Sequence, residues 1–269
     1  MKYEDRIVAF IDILGFKSHL DKTTFKKNNQ LIDNEQKIAE LNEALLLARK
    51  VLDIDRPESE KITKEKIVTQ FSDSIVISFP LNIQSEVFFT LLQIQWLLMN
   101  FLQFDIICRG AISFGKLVHN DKIIFGPALV DAYEAETKAA IYPRIILHES
   151  IIEIGSIFHA DHHQPEHEKE EIEKIVSLDS DGMYYIDYFS KCQSEYDEPE
   201  YGFIEHINHL KRIIRKGLNG SQYDLLVKYG WLKNKYNQMI REHKTKDAFK
   251  YYKSFDYALY KFYSNLRKL

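Results

Sequence analysis

Apolar positions along the first half of the chain follow two rhythms. Residues 6–13 (RIVAFIDI) form an apolar, β-branched run that ends near Gly15 and predicts a strand. Residues 34–52 place Ile38, Leu41, Leu45, Leu46 and Val51 at approximate helical spacing among charged neighbours. Residues 67–70 and 75–79 are strand-like runs flanking Phe71-Ser72-Asp73-Ser74, which has the make-up of a hairpin turn. A long apolar segment follows at 87–104, then a predicted strand pair at 106–113 and 116–125. Gly126-Pro127 opens a helix expected to reach about 141, with proline at its first position, and 144–147 closes the series as a short strand.

This order predicts an α+β sandwich, with helices returning to one face of a mainly antiparallel sheet. Beyond Ser150 the pattern changes. Residues 156–173 are polar and rich in histidine, 175–186 read as another strand pair, and 193–200 are acidic. From Tyr201 the spacing of Ile204, Ile207, Leu210, Ile213 and Ile214 predicts a helix, with further helices after it. The C-terminal third is expected to be an appendage to the core.

Composition narrows the function classes. At 269 residues the chain suits one large domain or a core with a helical extension. Lys plus Arg total 36 against 40 Asp plus Glu, a net charge of -4, so no strongly basic coat and no direct nucleic-acid binding is expected. Two cysteines, Cys108 and Cys192, cannot build a disulfide framework, and MKYEDRIVAF does not read as a cleaved leader. A cytoplasmic protein is the expectation. The segment 87–104 approaches a membrane span in length, but Thr90, Gln93, Gln95, Asn100 and Gln103 interrupt it. A buried or dimer-facing helix is expected there, and no membrane association.

The candidate chemistry centres on Asp12 and Asp73. Asp12 closes the first strand inside the otherwise apolar FIDILGF, where an unpaired buried carboxylate is expensive. Asp73 lies in the hairpin turn. If the first strand is central and neighbours that hairpin, both carboxylates meet at one sheet edge, where hard cations such as Mg²⁺ or Mn²⁺ take oxygen ligands completed by phosphates. The turn after Asp12 opens a helix whose N–H groups suit a polyphosphate. The plainer alternative, a helix cap and an ordinary turn, stays open on the residues alone.

FIDILGF, QFSDSIV, ICRGAISFG and IFGPALVDAYEAE stand in an order and spacing that resembles the class III nucleotidyl cyclase catalytic domain, over about residues 2–150. The closest resemblance is to the bacterial pyrimidine cyclases (cytidylate and uridylate cyclases) of the Pycsar anti-phage system. It implies a ferredoxin-like βααββαββαβ sandwich, with a catalytic domain over 1–190 and a helical extension over 191–269. It further implies a cyclase that converts CTP or UTP to the 3′,5′-cyclic monophosphate plus pyrophosphate, a second messenger read by a separate cyclic-nucleotide-sensing effector. By the same resemblance, Asp12, Asp73 and the backbone carbonyl of Ile13 hold two Mn²⁺ or Mg²⁺ ions, and Gly15 and Phe16 form the phosphate-cradling turn. Arg109 contacts the triphosphate, and the site forms at a homodimer interface. Two positions depart from the purine cyclases: Thr69 and Ile123 stand where polar residues read the base, which fits a pyrimidine pocket. The transition-state Asn and Arg of the family are missing from Val130-Asp131-Ala132-Tyr133-Glu134, leaving Lys138 or Arg144 as substitutes. A purine (ATP or GTP) cyclase and a catalytically silent, nucleotide-binding regulatory module are the alternatives.

Other features are set aside on chemistry. His159, His162, His163 and His167 match no tetrahedral zinc spacing, and Pro165 with its Glu neighbours reads as a solvated loop. Cys108, in an apolar strand, reads as an inert packed thiol. The basic run 211–216 reads as the solvated face of an amphipathic helix.

Overall fold

The N-terminal apolar run becomes β1 (Glu4–Ile13), which lies inside the sheet of a computed structural model describing residues 2–57 and 63–269. A short helix α1 (Phe16–Leu20), a hairpin β2 (Thr24–Lys27) and β3 (Gln30–Asp33), and helix α2 (Glu35–Val51) follow. The Asn34 side chain caps α2 by accepting the Lys37 N–H at 3.4 Å. Then come β4 (Ile67–Phe71), β5 (Ser74–Pro80), α3 (Glu86–Phe101), β6 (Cys108–His119), β7 (Ile124–Phe125), α4 (Pro127–Lys138) and β8 (Ile145–Leu147). After these, α5 (Glu149–Ile157), α6 (Pro165–Glu173), β9 (Val176–Leu178) and β10 (Tyr184–Ile186) complete the first of two compact units, Met1–Ile186.

The main sheet runs in the order β4-β5-β1-β6-β8-β10-β9, with β7 paired to the end of β6. Its pairings are antiparallel apart from β6 with β8. Strand alternation sends Val8 and Phe10 to one face, where they meet Val76, Leu117 and the α4 residues Ala128 and Ala132. Ile7, Ala9, Ile11 and Ile13 face the other way and are at most 2% exposed. Both faces of the central strands are therefore covered, not one as the element order predicted.

Three further expectations are corrected. The predicted pair 106–113 and 116–125 is one long strand, β6, which passes through Gly115 at φ +144° instead of turning back; only the two residues of β7 fold against its end. The expected loop around Pro165 contains a helix, α6, with Pro165 at its start, Glu166 and Glu168 in its first turn, and Glu168 and Ile172 buried. α4 ends at Lys138, short of the expected 141. Glu86–Phe104 is long and apolar enough to cross a membrane. Here its Leu91, Ile94, Leu97, Leu98 and Phe101 are at most 2% exposed, as in a core helix.

The second unit, Asp187–Leu269, is helical: α7 (Pro199–Leu218), α8 (Tyr223–Glu242), α9 (Lys246–Phe255) and α10 (Tyr257–Asn265). α7 buries Phe203, Ile207, Leu210, Ile213 and Ile214 and leaves Arg215 and Lys216 exposed. His206 stacks on Phe203, and its Nδ1 lies 2.9 Å from the Tyr196 hydroxyl.

Candidate active site

The site is built by strand register. Asp12, next to last in β1, stands directly opposite Ser74 on β5 and Arg109 on β6. Residues paired across a sheet project from the same face, so Phe71, Ser74, Asp12 and Arg109 form one row over four strands. The Ser74 hydroxyl donates to Asp12 Oδ1 at 3.3 Å. Asp73 occupies the two-residue turn between β4 and β5, which Ser72 permits by adopting φ +55°. The Asp73 carbonyl accepts the Ile13 N–H at 3.1 Å, tying that turn to the end of β1. The two aspartates are thus held beside each other at one end of the sheet.

Charge is crowded there. Burial raises the Asp12 carboxyl to about 6; the charges of Asp73 and Glu136 push the same way, and Arg109 and the Ser74 hydrogen bond pull back. Glu136 was not singled out from the sequence. It follows Ala128 and Ala132 at four-residue steps on the sheet-facing stripe of α4, is 2% exposed, and forms an ion pair with Arg109. That spacing from two alanines is the signal that could have found it.

Ile13 follows Asp12 and is buried on the opposite face of β1, so only its backbone adjoins Asp73. Gly15 precedes α1 at φ +71°, a conformation that favours glycine, and Phe16 behind it is buried. Thr69 lies one same-face row further from the aspartates, opposite Val76, and its Oγ1 is 2.9 Å from His119 Nε2. The other ring nitrogen of His119 is 2.8 Å from the Ser78 hydroxyl, which also accepts from Arg6 Nε at 3.0 Å. Burial, then Arg6, lowers His119 to about 4, so this ring is neutral. Ile123 sits 45% exposed in the β6–β7 turn. The structure therefore gathers Asp12, Asp73 and Arg109, adds Glu136, and places Thr69 and Ile123 away from them.

Neither Arg144 nor Lys138 faces this cluster freely. Arg144 is fully buried and paired with Asp179 and Asp181, with the Tyr142 ring 5.2 Å away. Lys138 is an exposed partner of Glu134 at 2.7 Å. Cys108 is buried, and burial pushes its thiol up. Among the described residues no group of three or more His, Cys, Asp or Glu is arranged to hold a metal. The histidine rings meet edge to face instead: the His163 ring centroid is 4.3 Å from those of His162 and His167, and its Nδ1 is 2.6 Å from Glu168 Oε2.

No family model and no curated protein matches the chain. Among solved structures it is similar to the adenylyl cyclase CyaB from P. aeruginosa, at 12% identity and a TM-score of 0.44, over 69% of this chain and 95% of that one. The functional reading rests on the residues themselves.

Proposed function

We propose that this chain is a nucleotidyl cyclase that turns CTP or UTP into the 3′,5′-cyclic monophosphate and pyrophosphate. The observation that carries the reading is the Asp12–Asp73 pair, set side by side by the β1–β5 register, with one carboxyl raised to about 6 by burial and neighbouring negative charge. Two carboxylates and a nearby backbone carbonyl are an oxygen donor set that fits a hard divalent cation whose remaining ligands are phosphate oxygens. The four motifs support it. So does the order β1, α1, α2, β4, β5, α3, β6, β7, α4, β8, into which β2 and β3 are inserted.

In this reading Asp12, Asp73 and the Ile13 carbonyl hold two Mn²⁺ or Mg²⁺ ions. Bound there, such ions acidify the ribose 3′-hydroxyl and neutralise the departing pyrophosphate. Gly15 and Phe16 turn the chain so that backbone N–H groups reach the phosphates. Thr69 and its His119 partner offer a short polar contact to a base, with the apolar Ile123 beyond. Val130 and Tyr133, 54% and 53% exposed on α4, offer an apolar surface to a second copy in a homodimer. The anti-phage role and the separate effector rest on the resemblance alone.

A second reading, a silent nucleotide-binding module, is favoured by one observation: Arg109 is engaged by Glu136, and Arg144 by Asp179 and Asp181. The two readings separate by experiment. Asp12→Ala and Asp73→Ala should each abolish cyclic product while circular dichroism stays unchanged, because each removes a ligand and no core volume. Wild-type turnover in either variant would overturn the metal assignment. Tight triphosphate binding without turnover in the parent protein would select the silent module.

A further inference from the structure

We propose that Glu136 is a positioning residue that holds the Arg109 guanidinium away from Asp12 and so reserves the Asp12 carboxylate for a divalent cation. The inference rests on the function proposed above and assigns a role to a residue outside its ligand set. Arg109 stands directly opposite Asp12 across the β1–β6 ladder. Side chains so paired lie about 5 Å apart at Cβ, and an arginine facing an aspartate there ordinarily forms a cross-strand ion pair. Here the guanidinium turns to the helix above and pairs with Glu136 instead, while Asp12 accepts the Ser74 hydroxyl at 3.3 Å.

The placement of Glu136 is costly. It occupies the third step of the α4 stripe whose first two steps are the fully buried Ala128 and Ala132, where an apolar side chain would pack without desolvating a charge. Its negative charge is also felt at Asp12, adding to that of Asp73. Asp12 and Glu136 thus share one guanidinium, and the guanidinium is assigned to the carboxylate that takes no part in ligation. Without the charge of Glu136, Asp12 is the carboxylate left within reach of Arg109. A direct Asp12–Arg109 pair would compete with a cation for the same oxygens.

The test is Mn²⁺ titration of the full chain, followed by the electron paramagnetic resonance of free Mn²⁺. The parent protein binds the ion, and Asp12→Ala abolishes that binding. Glu136→Gln, which keeps the side-chain volume, weakens Mn²⁺ by about tenfold, in line with coupling between residues of one ionic network. Adding Arg109→Ala to Glu136→Gln removes the competitor and returns the affinity to within about threefold of the parent, although turnover stays low. Glu136→Asp, which keeps the charge, retains most of the affinity. A merely structural glutamate would lose affinity without this rescue. Unchanged binding in Glu136→Gln, or no recovery in the double variant, overturns the proposal and leaves the cyclase reading standing. A parent protein with no Asp12-dependent Mn²⁺ binding removes both.

Discussion

Asp12 is the residue at which stability and function pull apart. Its carboxyl is raised to about 6 in the fold from an ordinary 3.8, chiefly by burial. The folded state therefore binds the proton more tightly than the unfolded chain, and stability falls as pH rises through about 4 to 6. Discounted for its partial solvent access, the penalty at pH 7 is of the order of 1–2 kcal/mol. Asp12→Asn should stabilise the metal-free protein by that amount at pH 7 and not at pH 4, as read by denaturant titration. Mn²⁺ should then stabilise the parent and leave the variant unmoved. A variant less stable than the parent at pH 7 contradicts the crowding on which the site rests.

At the scale of elements, the path of α4 decides where Glu136 points. Gly126 starts that helix at φ +152°, and a Cβ there would lie 2.5 Å from the Lys116 carbonyl oxygen and 2.8 Å from Leu117 Cα, neither of which can swing aside. Gly126→Ala should cost about 2–4 kcal/mol by overpacking and backbone strain, measured by thermal unfolding. It should lower turnover more than the remoteness of the change suggests. The helices were legible for different reasons: α2 by the helical spacing of Ile38 to Val51, α3 by an apolar run interrupted by Thr90, Gln93, Gln95 and Asn100, and α4 by Gly126-Pro127 at its start. Other elements were not. The runs 106–113 and 116–125 read as two strands, but β6 continues through the gap between them with Gly115 at φ +144°. The β2–β3 hairpin turns on Asn28 and Asn29, both at positive φ, yet its strands are mostly exposed and carry no apolar alternation to announce them. Pro165 with its Glu neighbours reads as a loop, but proline at a first helical position followed by Glu166 and Glu168 is a helix start. Within the site, Asp12 and Asp73 stood out because one interrupts an apolar strand and the other marks a turn. Glu136 did not, since Glu134 beside it looks the same in sequence and only the helix phase separates buried from exposed.

At the scale of the whole molecule, each unit holds neutral buried histidines, His119 in the first and His206 and His243 in the second. In the helical unit burial lowers His206 to about 3 and His243 to about 4. Both are neutral when folded, so their contribution is complete above about pH 6.5 and is lost as pH falls toward 3–4 while the unfolded chain takes up protons. The 92%-buried Trp231, packed on Phe189, reports on this unit once Trp96 is replaced by Phe. Its fluorescence transition should move to lower denaturant below pH 6.5, by several kcal/mol in all. His206→Gln should flatten that dependence, whereas a pH-independent midpoint would contradict the neutral, buried imidazoles.

The central claim concerns chemistry at the end of β1, and one measurement reaches it directly. The purified protein is incubated with each of the four ribonucleoside triphosphates and Mn²⁺, and the products are separated by chromatography. A cyclic monophosphate with pyrophosphate from CTP or UTP alone is the predicted result. Cyclic product from ATP or GTP would keep the cyclase and discard the reading of Thr69 and Ile123, and no product from any triphosphate would contradict the account.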